Sequence, residues 1–136
     1  EICIANCPNC DLVFGFKNNH NHARTLYSAF HYEDGDILDV IKKYSPIHII
    51  DELPKNAEYH LFHGDNDEAL NYTANSKRLY EKMKEKGFDI TFTLCKGRSH
   101  AKVLIDSDIP AKEYILKKFK IQYDELESEF EFNHTV

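Results

Sequence analysis

The alternation of short apolar runs with helix-like segments is the feature that most constrains how this 136-residue chain can fold. The apolar runs have the length and content of buried strands, and the intervening segments carry apolar residues at helical spacing. The predicted strands are residues 2–6, 57–64 and 88–96, and the predicted helices are residues 36–46, 72–86 and 109–122. Strands that alternate with helices form parallel sheets. The sequence therefore predicts an α/β fold with a three-stranded parallel sheet flanked by helices.

Individual residues support these boundaries. Asp36 is a plausible N-cap, Pro110 falls in a first helical turn, and Gly87 is a typical helix end. In residues 88–96, apolar and polar residues alternate, which is typical of a half-exposed strand at a sheet edge. Residues 7–35 show no clean period and are predicted to be a long irregular excursion with one helical turn near residues 24–30. Residues 124–136 form an acidic tail, and the chain 1–136 is predicted to be a single domain.

The charge balance argues against two classes of partner. The net charge is −6, so neither nucleic acid nor an anionic membrane is expected to be the main partner. No apolar run approaches the length of about 18 residues that a membrane span needs. The four cysteines lack the spacing of a secreted disulfide framework, which favours free thiols and a cytoplasmic location.

Two polar loops follow the second and third predicted strands. The first is "HGDNDEAL" and the second is "KGRSHAKV". Because the carboxyl ends of neighbouring parallel strands lie side by side, Asp67 and His100 are expected to meet there. An acid that accepts a bond from one histidine nitrogen leaves the other free to take a proton from a nucleophile. Asp65 and Glu68 are interpreted as solvated loop acids rather than as cation ligands.

From about residue 44 to 119 the sequence resembles the α/β-hydrolase fold, in particular its prolyl oligopeptidase-like peptidases and esterases. "HGDNDEAL" is similar to the family's His-Gly-x-x-Asp-x-x-Val-Pro pattern, with Leu70 for Val and Asn71 for Pro, and "KGRSH" is similar to its Gly-x-x-His. The resemblance implies that Asp67 is the acid and His100 the base of a catalytic triad. It also implies hydrolysis of a small ester or peptide, with no metal or organic cofactor.

The nucleophile of that family is missing from the pattern. It belongs to Gly-x-Ser-x-Gly on a strand-to-helix turn, and no serine of this chain is flanked in that way. The resemblance thus suggests the C-terminal part of a serine hydrolase, beginning at the strand after the nucleophile helix. Such a chain is expected to be inactive alone. The outer edge of its first strand is expected to pair with the missing N-terminal part or with another copy.

A second interpretation is a non-enzymatic, hydrolase-like binding module. Cys7, Cys10, His20 and His22 contain four zinc-type ligands, although their spacing is a poor match to known zinc sites. A redox role for the Cys-x-x-Cys pair is weaker still, because that motif should open a helix. The simplest interpretation of the two thiols is that they lie half-buried beside a turn.

Overall fold

The computed structural model describes residues 1–105 and 110–119, and its centre is a three-stranded sheet. The strands are β1 (Ile2–Asn6), β2 (Glu58–Gly64) and β3 (Asp89–Cys95). They lie in the order β1-β2-β3, and both pairs are parallel. This arrangement confirms the predicted α/β fold with a three-stranded parallel sheet.

The central strand separates two clusters of buried side chains. Tyr59 and Leu61 face one side, where Leu79, Met83 and Ile90 complete the larger cluster. Phe62 faces the other side, together with the smaller cluster formed by Cys7, Cys95 and Val103. Because successive side chains of a strand point to opposite faces, this division follows directly from the sequence of β2. Coverage on both faces explains why β2 lacks the apolar/polar alternation of an exposed strand.

Residues 7–35 were predicted to be irregular apart from one helical turn near residues 24–30; that turn lies within a longer helix, and the rest of the prediction is wrong. They contain two helices, α1 (Leu12–Asn18) and α2 (His20–Phe30). The side chain of Asp11 caps α1 by accepting a hydrogen bond from Phe14 N. Asn19 caps α2, because its Oδ1 accepts hydrogen bonds from Asn21 N and His22 N. No residue of α2 is buried, so the segment shows little of the apolar periodicity that reveals a packed helix.

The helices between β1 and β3 otherwise lie close to their predicted positions. Helix α3 (Ile37–Lys42) begins after Asp36, whose carboxylate accepts a hydrogen bond from Leu38 N. A short 3₁₀ turn (Ile50–Glu52) leads toward β2. Helix α4 (Arg78–Glu85) begins six residues after the start of the predicted helix over 72–86, because the first part of that segment is a π-helical turn (Thr73–Lys77). Gly87 ends it at φ +78°.

Two further helices follow β3. Helix α5 (His100–Ile105) starts at the histidine that was predicted to lie on a loop, and α6 (Pro110–Phe119) has the expected proline in its first turn. The acidic tail, residues 124–136, lies outside the described residues. Within the described part of the chain, every helix is too short or too polar to cross a membrane.

Candidate active site

The candidate site lies at the carboxyl end of the sheet, where the loops after β2 and β3 meet. The backbone of Arg98 crosses directly over Gly64, and a Cβ atom on Gly64 would lie 2.1 Å from Arg98 O. The same carbonyl accepts a hydrogen bond from Asn66 N at 3.1 Å. The glycine of "HGDNDEAL" is therefore required by the close approach of two chain segments.

Asp65 adds a second link between the two loops. Its carboxylate accepts a hydrogen bond from Gly97 N at 2.7 Å, and its own amide donates to Cys95 O at 3.3 Å. Asp65 was interpreted as a solvated bystander. It is exposed, but it also holds the loop that carries His100 against the loop that carries Asp67.

These links bring the two predicted residues into contact. His100 Nδ1 lies 2.8 Å from Asp67 Oδ2. The side chain of Asp67 is fully buried, whereas that of His100 is 37% exposed. A carboxylate oxygen can only accept at this contact, so an Asp67 anion fixes the His100 proton on Nδ1. The Nε2 atom is then left with the lone pair.

Asp67 receives hydrogen bonds on both of its oxygens. Oδ1 accepts from Ala69 N at 2.9 Å and from Leu70 N at 2.8 Å, while Oδ2 faces His100. Burial alone would raise the pKa of Asp67. The bonds from Leu70 N and His100, together with the two nearby imidazoles, nevertheless hold the pKa of this carboxyl below its usual value. Asp67 is thus held as a buried anion.

A second histidine, His63, lies on the other side of the same oxygen. His63 Nε2 is 3.0 Å from Asp67 Oδ2 and 3.1 Å from Leu70 O. Its Nδ1 is 2.6 Å from Ser76 Oγ. Because Leu70 O can only accept, the His63 proton belongs on Nε2, and the Ser76 hydroxyl donates to Nδ1. Burial lowers the pKa of His63, which keeps this fully enclosed ring neutral.

The sequence pattern did not reveal this role of His63. Its signal in the sequence was its position as the last side chain before the glycine that ends β2. The side chain of Ser76 was not singled out, because a π-helical turn rotates its residues out of the positions expected for an α-helix. That turn buries both Asn75 and Ser76, and Asn75 Oδ1 accepts hydrogen bonds from Cys10 N and Asp11 N.

Cys7 completes the group around Asp67. It follows β1 in a left-handed conformation, with φ +45°, which is uncommon for a residue other than glycine. Burial, the main cause, together with the neighbouring Asp67 charge raises the pKa of the Cys7 thiol to about 11. Cys7, His63 and Asp67 each offer one atom within 4.8 Å of the others. Both nitrogens of His63 are already hydrogen-bonded, however, so these residues form a complete network without a cation.

The zinc cluster of the second interpretation is not assembled among the residues that the structure describes. In the described part of the chain, the group with ligand atoms at metal-binding separations pairs Cys7 with His63 and Asp67 rather than with Cys10, His20 or His22. Cys10 is fully buried in the larger core cluster, whereas His20 lies exposed at the start of α2. The two thiols predicted to be half-buried are both buried, and all four cysteines are free.

A cavity of about 270 Å³ adjoins the loop that follows Asp67. Its walls are that loop, the π-helical turn and the facing parts of α1 and α2, including Phe14, His22 and Asn75. The segment predicted to be an irregular excursion thus forms one wall of a cavity beside the candidate site.

Comparison with known proteins gives a fold assignment. The structure is similar to that of a thermophilic esterase, Est2, from the planctomycete Thermogutta terrifontis, with a TM-score of 0.60 and 20% sequence identity. The match covers 88% of this chain and 40% of the esterase. The chain has the fold of one part of an esterase.

Two ligand-bound structures of the same esterase match equally well. The propionate-bound form has a TM-score of 0.59 over 95% of this chain and 42% of that chain, at 20% identity. The butyrate-bound form has a TM-score of 0.60 over 95% and 43%, at 19% identity. This chain therefore spans less than half of the esterase. No protein-family model matches the sequence, and no curated protein matches it significantly.

Proposed function

We propose that this chain is the C-terminal portion of a serine hydrolase that cleaves small esters, and that it supplies the acid and the base of the catalytic triad. The observation that carries the proposal is the 2.8 Å contact between Asp67 Oδ2 and His100 Nδ1, which joins a buried carboxylate to a partly exposed imidazole. A catalytic triad requires this arrangement, because the base must reach the substrate while its acid partner stays shielded from water.

Each residue would have one role. Asp67 holds His100 in the tautomer that carries its proton on Nδ1, so Nε2 can accept the proton of an attacking serine hydroxyl. The resulting imidazolium is stabilised by the buried Asp67 charge. His100 then returns the proton from Nε2 to the leaving alcohol. This chemistry requires neither a metal nor an organic cofactor.

The fold similarity favours an ester with a small acyl group over a peptide. The similar esterase has been observed with propionate and with butyrate bound, and also phosphonylated by sarin. Phosphonylation is a covalent reaction, which needs a nucleophilic side chain. Short-chain esters are accordingly the first substrates to test.

The serine and its oxyanion hole would come from a part of the protein outside these residues. The chain matches only 40–43% of the esterase, and among the described strands β1 has a neighbour on one side alone. An unpaired strand edge is a template for another strand. We propose that the strand bearing the nucleophile pairs there, and that a second copy of this chain can occupy the edge in its absence.

The proposal is tested by hydrolysis of p-nitrophenyl butyrate by the protein that the complete reading frame encodes. His100→Ala and Asp67→Asn are each expected to lower kcat by about 10³-fold or more, because the base or its correct tautomer is lost. His60→Gln is the matched control. It changes a buried histidine of the same strand as His63, and His60 bonds to Thr91 Oγ1 rather than to Asp67.

The 136-residue chain by itself is expected to show no turnover that depends on His100. Robust hydrolysis by that chain, abolished by His100→Ala, would contradict the proposed division of the triad. Full activity of the complete protein after His100→Ala would contradict the proposed function as a whole.

A further inference from the structure

We infer that His63 and Ser76 form a positioning relay that holds the Asp67 carboxylate in the orientation His100 needs. The inference rests on the proposed function and extends it to two residues that do not touch the reacting atoms. Its basis is the continuous chain of contacts Ser76 Oγ–His63 Nδ1 at 2.6 Å, His63 Nε2–Asp67 Oδ2 at 3.0 Å and Asp67 Oδ2–His100 Nδ1 at 2.8 Å.

The acceptors around His63 determine which of its two nitrogens carries the proton. Leu70 O can only accept, so His63 Nε2 carries the proton and donates a hydrogen bond to Leu70 O, while the Asp67 anion lies 3.0 Å from the same nitrogen. Its Nδ1 then needs a donor, and the hydroxyl of Ser76 is the group in contact with it. Ser76 therefore supplies the donor for the His63 nitrogen that carries no proton, and so completes the hydrogen bonding of the ring.

The residues of this relay are shielded from water. The side chains of His63 and Asp67 are fully enclosed, and Ser76 is fully buried as well. A buried carboxylate that loses a donor cannot recover the bond from water. Asp67 Oδ2 lies within 3.0 Å of two imidazole nitrogens, so loss of His63 would leave His100 as the one imidazole in contact with it among the described residues.

The local backbone holds Ser76 in position. Ser76 lies on the π-helical turn, where its neighbour Asn75 accepts hydrogen bonds from the backbone of the loop after β1. The turn thus joins three chain segments at one point: the loop after β1, the end of β2 through His63, and the start of α4. π-Helical turns are rare and are frequent at functional sites. Here the turn fixes the hydroxyl that begins the relay.

The inference is tested on the chain itself by nuclear magnetic resonance, with His63→Met, His63→Gln, Ser76→Ala and the control His60→Gln. In His63→Met, which lacks a donor, the Asp67 carboxyl carbon should titrate about one pH unit higher than in the parent. The His100 Nδ1 proton signal should broaden as the carboxylate becomes mobile. His63→Gln keeps an N–H group and should recover part of both effects, while His60→Gln should change neither.

Ser76→Ala provides an independent test that spares the imidazole. Without the hydroxyl, His63 Nδ1 loses its donor, so its nitrogen-15 shift should move toward that of a nitrogen without a hydrogen bond, and the Asp67 titration should move in the same direction as in His63→Met. If His63→Met does not fold, the His63→Gln and Ser76→Ala results decide. Unchanged Asp67 titration and unchanged His100 signals in those two variants would overturn the inference.

Kinetics separate this inference from the proposed function. In the complete protein, His63→Met should lower kcat for p-nitrophenyl butyrate about tenfold or more with little change in KM, because a positioning residue acts on the transition state. His63→Gln should restore part of the loss. If His100→Ala leaves hydrolysis intact, the proposed function fails, and the resonance experiment still tests the relay by itself.

Discussion

At the scale of single residues, Asp67 shows how a charge can be kept inside a small protein. Desolvation works against its ionised form, and hydrogen bonds to both carboxylate oxygens overcome this cost. Cys7 has the opposite outcome in the same place. Burial and the Asp67 charge both oppose its thiolate, so the thiol stays protonated. The same cluster therefore contains an ionised carboxylate, Asp67, next to a protonated thiol, Cys7.

Stability is expected to fall as the pH is lowered below about 6.5, in part because of His63. The folded-state pKa of His63 is depressed, so below the ordinary histidine value the unfolded chain binds a proton that the folded chain does not. The free energy of unfolding therefore decreases as the pH falls, and the decrease ends once the pH is below the folded-state pKa of His63. The pKa of Asp67 is also depressed in the folded state, so stability decreases further as the pH falls below about 4.

Chemical denaturation at a series of pH values measures this effect. His63→Gln removes the titrating group, so its free energy of unfolding should depend less steeply on pH between about 6.5 and 5 than that of the parent. Equal slopes for the two proteins in this interval would show that His63 is not buried in its neutral form.

Thiol reactivity is expected to divide the four cysteines into one fast group and three slow ones. Cys3 is exposed, whereas burial raises the pKa of Cys7 to about 11, that of Cys10 to about 12 and that of Cys95 above its usual value. Because the thiolate is the reactive form, Ellman's reagent at neutral pH should modify one thiol rapidly and the others only on unfolding. Loss of the rapid phase in Cys3→Ser checks the assignment, and a second rapid thiol would contradict it.

At the scale of the elements, the candidate site depends on two loops that touch. The loop after β2 and the loop after β3 share the Arg98 carbonyl, the Asp65 carboxylate and the space above Gly64. Neither loop would hold its functional side chain in place without the other. The contact between Asp67 and His100 is thus a result of how the two loops are joined at the end of the sheet.

Gly64→Ala is expected to destabilise the protein by about 3 kcal/mol or more, since its methyl group would overlap the backbone carbonyl of Arg98. Gly15→Ala is the matched control. The nearest atom to its added methyl group is His22 Nδ1 at 3.1 Å, on a side chain that can move, and alanine favours the helix. Its free energy of unfolding should stay within about 1 kcal/mol of the parent. Equal effects of the two changes on urea denaturation would contradict the close approach at Gly64.

The sequence predicted those elements whose formation depends on residues within them. Strand β2 and helix α4 could be recognised from their apolar pattern, and the helix ends from Asp36 and Gly87. Helix α1 and the first half of α2 could not, because they are set by side-chain caps at Asp11 and Asn19 and bury few residues. The meeting of Asp67 with His100 followed from strand order. The role of His63 did not, because its contact with Ser76 depends on the π-helical turn Thr73–Lys77, which the sequence pattern does not reveal.

At the scale of the whole molecule, the sheet has one central strand and two outer strands, β1 and β3, and each outer strand has a strand neighbour on one side alone in the described residues. The strands and helices of the described residues cover β2 on both faces, while β1 has no strand neighbour on its outer edge within that part of the chain. Glu58 N donates to Glu1 O, and Cys7 N donates to Phe62 O. In a parallel ladder the odd-numbered residues of β1 therefore bond to β2, and the amides of Ile2, Ile4 and Asn6 point away.

The isolated chain is expected to associate through this edge. Light scattering coupled to size-exclusion chromatography should give a mass above the 15.9 kDa of one chain. Ile4→Pro removes an outward amide and should restore the single-chain mass, while Ile4→Val keeps the amide and should remain associated. Ala5→Pro removes an amide that bonds to β2, so it should lower stability instead.

A folded monomer of the parent chain that remains monomeric on concentration would contradict self-association. In that case the edge would be open to the remainder of a longer protein without being attractive to a second copy. Association that survives Ile4→Pro would show that the contact between copies lies on another surface.

The exposed thiol of Cys3 lies on the strand that forms this open edge. Because the other three cysteines are buried, the natural sequence already offers a single attachment point for a fluorophore. A dye at that position would report, through its anisotropy and emission, when another strand arrives beside β1. Assembly with any candidate partner segment could then be followed in real time and titrated, without introducing a new cysteine or removing an old one.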